Sequence, residues 1–221
     1  MKLIIPPPSL FKTWVVTAGC LLLTVACSKA YYGAMEKVGI HKRDILVDRV
    51  ENARDAQSRA QEQFKDALTQ FESVVAVENS DLKEAYEKLD AEFKASDAAA
   101  KRVSSRISRV ESVANDLFAE WEQELTLYSN QALRDDSARK LKETRQRYTQ
   151  MLSSMHKAEK SMQPILGTFR DNVLFLKHNL NAQAIGSLRS EFAGLKAKVE
   201  DLIRSMNDAI ASSNRFIEDL Q

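Results

Sequence analysis

Three histidines carry the most obvious capacity for chemistry in this chain: His41, His156 and His178. Imidazole can hold a metal or move a proton near neutral pH, but either role needs partner groups within a few ångströms. Helical bundles that bind metals through carboxylates do so with inward-facing Glu-x-x-His pairs. No acidic residue lies three positions before any of the three histidines. The serines of "LYSNQ" and "MLSSMHKAEK" neighbour histidine or lysine only at ordinary polar helix positions, and no glycine-rich phosphate loop occurs. Two charged residues, Arg145 and Glu159, interrupt an otherwise apolar stripe. They could form a polar site inside a bundle, but buried unpaired charge is costly. The favoured reading puts their stems on the seam edge and their heads in water. The expectation is a protein that is not an enzyme, with no catalytic residue, no metal and no cofactor.

The elements that would position these groups are helices. After residue 43 the spacing of apolar residues is three and four. The first stripe is Leu46, Val50, Ala53, Gln57, Ala60, Phe64, Ala67, Phe71 and Val74. A second runs from Leu82 through Leu89, Ser96, Val103, Val110 and Leu117 to Tyr128. A third runs through Leu141, Arg145, Tyr148, Leu152, Met155, Glu159, Met162, Leu166, Phe169, Val173 and Leu176 to Leu180. The fourth is Ile185, Leu188, Phe192, Leu195, Val199, Leu202, Met206, Ala209, Ser213, Phe216 and Leu220. This is the heptad period that keeps a seam facing partner helices. Extra apolar positions such as Leu68, Val113 and Ile210 widen the stripes beyond a two-stranded seam. Breaks fall at "VENSD", "SNQALRDDS" and "NLNA", and Asp81 with Glu84 marks a capped helix start.

The spacing predicts an all-α fold: a long antiparallel up-down-up-down four-helix bundle with coiled-coil-like heptads. The helices should cover about 44–77, 82–128, 136–180 and 182–220, within one domain of residues 44–221. Folding about residue 132 sets Glu159 level with Arg106. Pro164 should bend helix three, because it frees the carbonyl of Lys160. Whether the stripes close within one chain or in a dimer of hairpins is left open.

The N-terminus reads as an address. Lys2 and Lys12 precede an uncharged run over 13–26, short of the ~20 residues that span a bilayer, and "PPP" at Pro6 to Pro8 blocks its extension. Residues 1–26 are therefore expected to be a signal peptide. "LTVAC", ending at Cys27, resembles the lipobox of bacterial lipoproteins. "TAGC", ending at Cys20, is a rival, but it would leave too short an apolar middle. Cys27 is thus the expected lipidation point, carrying acyl chains such as palmitate, with a tether over 27–43. Ser28, rather than Asp, follows, and the lipoprotein sorting pattern then implies the periplasmic face of the bacterial outer membrane. Of the 32 basic residues only Lys2 and Lys12 precede Cys27, while all 31 acidic residues follow it. The mature chain is therefore almost neutral, and no basic field exists to hold nucleic acid.

Two segments could meet partners. "FLKHNLNAQAIGSL" places Lys177, His178, Asn179, Asn181 and Gln183 at the turn between helices three and four, a candidate partner-binding tip. Asn179 and Asn181 also suit helix termination and capping. "AYYGAMEKVGIHKRD" could lie at the bilayer interface through Tyr31 and Tyr32, or pack against Trp121, Tyr128 and Phe216.

Three stretches, "YYGAMEKVGIHKRDILVDRVENARDAQ", "FAEWEQEL" and "FRDNVLFLKHNLNAQAIGSL", resemble domain-of-unknown-function family 2959. The resemblance implies a Gram-negative envelope lipoprotein, and it implies neither an activity nor functional residues. The expected role is a lipid-tethered, non-enzymatic helical scaffold or interaction module in the cell envelope, with the membrane and a protein as partners. The alternative is a lipid-binding bundle that opens to expose its apolar stripes.

Overall fold

Charged and polar residues alternate with apolar ones every three or four positions, and β-branched runs are short. Only helix buries such a stripe while keeping the other faces in water. The computed structural model describes residues 41–76, 81–179 and 182–220. The expected signal segment, Cys27 and the expected tether as far as residue 40, most of "VENSD", and Leu180, Asn181 and Gln221 lie outside the described residues. Among the described residues four helices follow in order: α1 (Lys42–Ala76), α2 (Leu82–Glu124), α3 (Gln131–His178) and α4 (Ala182–Leu220). A 3₁₀ turn, Leu125–Leu127, follows α2. Among the described residues there is no strand, and no helix is long and apolar enough to cross a membrane.

The helix ends have identifiable causes. The Asp81 side chain accepts hydrogen bonds from the backbone N–H of Lys83 and Glu84, at 2.9 and 3.2 Å. The Asn130 side chain does the same for Ala132 and Leu133, at 2.9 and 3.2 Å. Each side chain satisfies donors that a helix start leaves orphaned. Because Asn130 caps it, α3 begins at Gln131 and carries Asp135 and Asp136 inside it, earlier than the expected start at 136. Likewise α2 gives way at Glu124 rather than continuing to Tyr128, whose backbone is extended. Helix α3 runs unbroken through Pro164.

Residues Leu46–Gln221 form one compact unit, and Met1–Ile45 another, of which the described part is the first turn of α1. In that turn Asp44 accepts from the His41 N–H at 3.3 Å, and the His41 carbonyl accepts from Asp44 N–H at 2.9 Å. In the larger unit all nine positions of the first stripe are buried. Large side chains such as Phe64, Phe71, Met151, Met155 and Leu202 have almost no exposed surface. Each contributes ~1.5–3 kcal/mol through removal from water.

Helix α3 departs from the expected stripe. Its buried residues include Thr144, Met151 and Ala158, whereas Arg145 is exposed and Leu152 and Glu159 are half-buried. The seam therefore runs one position earlier than expected at 145, 152 and 159. The physical reason is charge: the phase that buries Thr144 and Ala158 leaves Arg145 and Glu159 at the edge.

Named pairs tie the helices together. Between α2 and α3, Phe118 meets Tyr148 edge-on with ring centroids 5.3 Å apart, and Arg145 bonds Glu122 at 2.6 Å. Between α1 and α4, Gln61 donates to Asn207 Oδ1 at 2.8 Å, and Phe71 stacks on Phe192 at 6.1 Å. Between α3 and α4, Tyr148 meets Phe216 at 6.1 Å, and Lys198 donates to Thr168 Oγ1 at 3.2 Å. In each of these helix pairs, residue numbers rise along one helix as they fall along the other. Between α1 and α3 they rise together: Gln57 bonds the Met155 carbonyl at 3.4 Å, and Phe71 lies 6.3 Å from Phe169.

Candidate functional site

The described surface offers three places where function could reside: the tip at the end of α3, a polar cluster between α2 and α3, and the exposed apolar residues. At the tip, Lys177 and His178 are exposed in the last turn of α3, and Gln183 is exposed at the start of α4. Asn179 has turned its side chain back, its Nδ2 donating to the Phe175 carbonyl at 2.9 Å. That bond and the Asn179 N–H to the Leu176 carbonyl, 3.2 Å, close the helix. Asn179 is thus occupied by termination. Asn181 lies outside the described residues, as does Cys27.

The cluster is one the spacing did not suggest. His156 on α3 sits between two carboxylates: its Nδ1 is 2.8 Å from Glu159 Oε2 and its Nε2 is 3.1 Å from Glu111 Oε1 on α2. The Glu-x-x-His pattern places an acid three residues before histidine, whereas Glu159 lies three after His156 and Glu111 comes from another helix. One signal was available, since Glu159 shares the helix face of His156. Burial alone would lower the His156 pKa. The hydrogen bonds to Glu159 and Glu111, with their negative charges, outweigh it and hold the imidazole above its ordinary value. Glu111 and burial also push the phenol of Tyr148 up to about 12, burial being the larger cause.

The arrangement limits the chemistry. With both ring nitrogens directed at carboxylates, a protonated His156 donates twice and keeps no lone pair for a substrate proton or a metal. It acts as an ionic clasp between α2 and α3. Among the described residues no three His, Cys, Asp or Glu side chains converge as metal ligands. The recess beside it is lined by Ser153, His156, Lys157, Lys160 and Ser161, all on one helix, so it is a surface hollow and not an enclosed pocket. Arg145 is likewise accounted for: its guanidinium lies 5.0 Å from the Phe118 ring centre while bonding Glu122.

The exposed large apolar residues fall in two groups. Leu127, Tyr128 and Leu133 are 81, 42 and 57 % exposed around the α2–α3 connection. Leu174 and Phe175 are 47 and 41 % exposed near the end of α3.

No curated protein matches the sequence. A family described as "Protein of unknown function (DUF2959)" matches residues 31–220, nearly all of the chain after Cys27, and the chain belongs to that family.

Proposed function

We propose that this protein is a lipid-anchored, non-enzymatic scaffold of the bacterial envelope, held at the periplasmic face of the outer membrane through acyl chains on Cys27. The observation that carries the reading is the change of character at Cys27. A charge-free apolar run ends there, and after a short tether the chain is a charged heptad pattern from Leu46 on. The family match begins at residue 31, just past that boundary, which suits a leader that is removed. Several acyl chains, each methylene contributing ~0.8 kcal/mol, would anchor the protein firmly.

The bundle winds up-down-up-down, each helix antiparallel to the next. The opposed numbering of the Phe118–Tyr148, Gln61–Asn207 and Tyr148–Phe216 pairs supports this. Helix α3, with 48 residues, extends ~72 Å at 1.5 Å per residue. Such a length suits a spacer that presents Lys177, His178 and Gln183 to an envelope protein away from the lipid.

The test is metabolic labelling of the full chain with an alkyne-bearing palmitate in a Gram-negative host, followed by membrane fractionation. The wild type is expected to carry label and sediment with outer membranes. Cys27→Ser is expected to lose both properties. Wild-type protein recovered unlabelled from the soluble fraction would overturn the assignment.

A further inference from the structure

We propose that the α2–α3 connection, through Leu127, Tyr128 and Leu133, inserts into the lipid surface to which the chain is tethered. The inference deepens the anchoring reading above and rests on it. Leu125 to Leu133, "LTLYSNQAL", contains no charged residue in a chain of which 29% is charged. Its nearest charges, Glu124 and Arg134, stand just outside it. The local backbone holds these side chains outward. The 3₁₀ turn carries Leu127, Tyr128 is extended, and Leu133 sits in the Asn130-capped first turn of α3. Two leucines and a tyrosine at a charge-free turn match the interfacial layer of a bilayer, where tyrosine favours the headgroup level. A charged protein partner would be matched by charge, and this stretch has none. The second exposed pair, Leu174 and Phe175, differs in being flanked by Asp171, Lys177 and His178.

Placement within the fold supports the same occupant. Arg54 on α1 meets Asn214 on α4, Arg147 on α3 meets Asp219 on α4, and Arg145 on α3 meets Glu122 on α2. Within the larger unit these pairs bring the part of α1 that begins at Leu46, the end of α4 and the α2–α3 connection to one end. The chain enters α1 at that end. Residues 28–41 separate Cys27 from α1 and can span at most about 50 Å. The end bearing Leu127 is therefore the one held near the lipid, and the end bearing Phe175 lies at the far ends of the same helices.

The test uses the full-length lipidated protein in phosphatidylcholine–phosphatidylethanolamine vesicles whose acyl chains carry bromine. Trp14 precedes Cys27, and Trp121→Phe removes the other tryptophan, so Leu127→Trp and Phe175→Trp each supply a single reporter at an exposed position. We expect bromine to quench Leu127→Trp at least several-fold more than Phe175→Trp, and Leu133→Asp to reduce that quenching with flotation unchanged. Flotation without preferential quenching at Leu127→Trp overturns the insertion and leaves the anchor standing. Failure of the wild-type chain to float overturns the anchor, and the insertion with it. Emission from Leu127→Trp in unlipidated Cys27→Ser protein, with Trp14→Phe and Trp121→Phe added because the first 26 residues are then retained, reads the patch without lipid. A blue-shifted maximum there means that a second copy or another part of the chain covers the patch, and it overturns the proposal. A water-exposed maximum supports it.

Discussion

Glu111 on α2 and His156 on α3 face each other across the bundle with carboxylate oxygen and Nε2 3.1 Å apart, while Glu159 holds the other ring nitrogen at 2.8 Å. The pair joins two helices through a group that titrates near neutral pH, so helix pairing inherits a pH dependence. The histidine is held above its ordinary value of 6.5 in the fold. Its contribution is therefore fully present below pH 6.5 and is lost as pH rises through the folded pKa. Histidine NMR is expected to give His156 a titration midpoint above 6.5, and the thermal midpoint should fall as pH rises through it. In His156→Gln that decline should flatten. A His156 midpoint at or below 6.5 would refute the clasp.

Arg189 on α4 closes the end of α1. Its Nε and a terminal guanidinium nitrogen donate to the Val75 carbonyl at 3.0 and 2.8 Å, and α1 has no basic residue of its own in its last turn. Arg189→Ala should cost about 1.5 kcal/mol, the lower end of what a hydrogen bond to a charged group contributes, because Arg189 is exposed. Arg189→Lys should recover only part, since an ammonium cannot reproduce the two-nitrogen approach. Urea denaturation of the three proteins would check this, and equal stabilities would dismiss the cap.

Among the described residues, two buried side-chain polar atoms have no partner, Gln57 Oε1 and Ser96 Oγ. A buried hydroxyl without a partner costs ~1–3 kcal/mol, and alanine fills nearly the same volume. Ser96→Ala is therefore expected to stabilise the fold by about 1 kcal/mol. By contrast Phe64→Ala, at a fully buried seam position, should lose ~3–5 kcal/mol. A clear loss in Ser96→Ala would mean that the hydroxyl has a partner in solution.

The seam of α3 makes a paired prediction. Ala158 is fully buried, whereas Glu159 is 22 % exposed and bonded to His156. Ala158→Glu should cost at least ~3 kcal/mol, because it drives a carboxylate into the seam. Glu159→Ala should cost under about 1 kcal/mol, as for other partly exposed ion pairs. Thermal unfolding of the two variants decides the phase, and the reverse order would restore the seam through Glu159.

The same stretch shows what patterning could and could not reveal. Helix α1 was fully legible because its stripe is apolar at eight of nine positions, and even Gln57 belongs to it. In α3 two phases overlap: Thr144, Met151 and Ala158 hold one polar residue, Arg145, Leu152 and Glu159 hold two, and the apolar residues that both phases share carry the rest of the stripe. Desolvation decides between them, since only the charged pair gains by staying at the edge. The Glu111–His156 contact was not legible, because it depends on which residues of α2 and α3 come level. The Asn130 cap was not legible, because the break "SNQALRDDS" holds Ser129, Asn130, Asp135, Asp136 and Ser137, each of a type that can cap a helix. Tyr128 closes the expected second stripe, yet the turn that follows α2 leaves it and Leu127 exposed.

The fastening of Val75 to Arg189 spans 114 residues. During synthesis the final turn of α1 must therefore wait for nearly the whole polypeptide to emerge before its carbonyl is satisfied. Early hairpins can form from neighbouring helices, but the first helix is locked only when the last arrives, which delays closure until the C-terminal quarter is delivered.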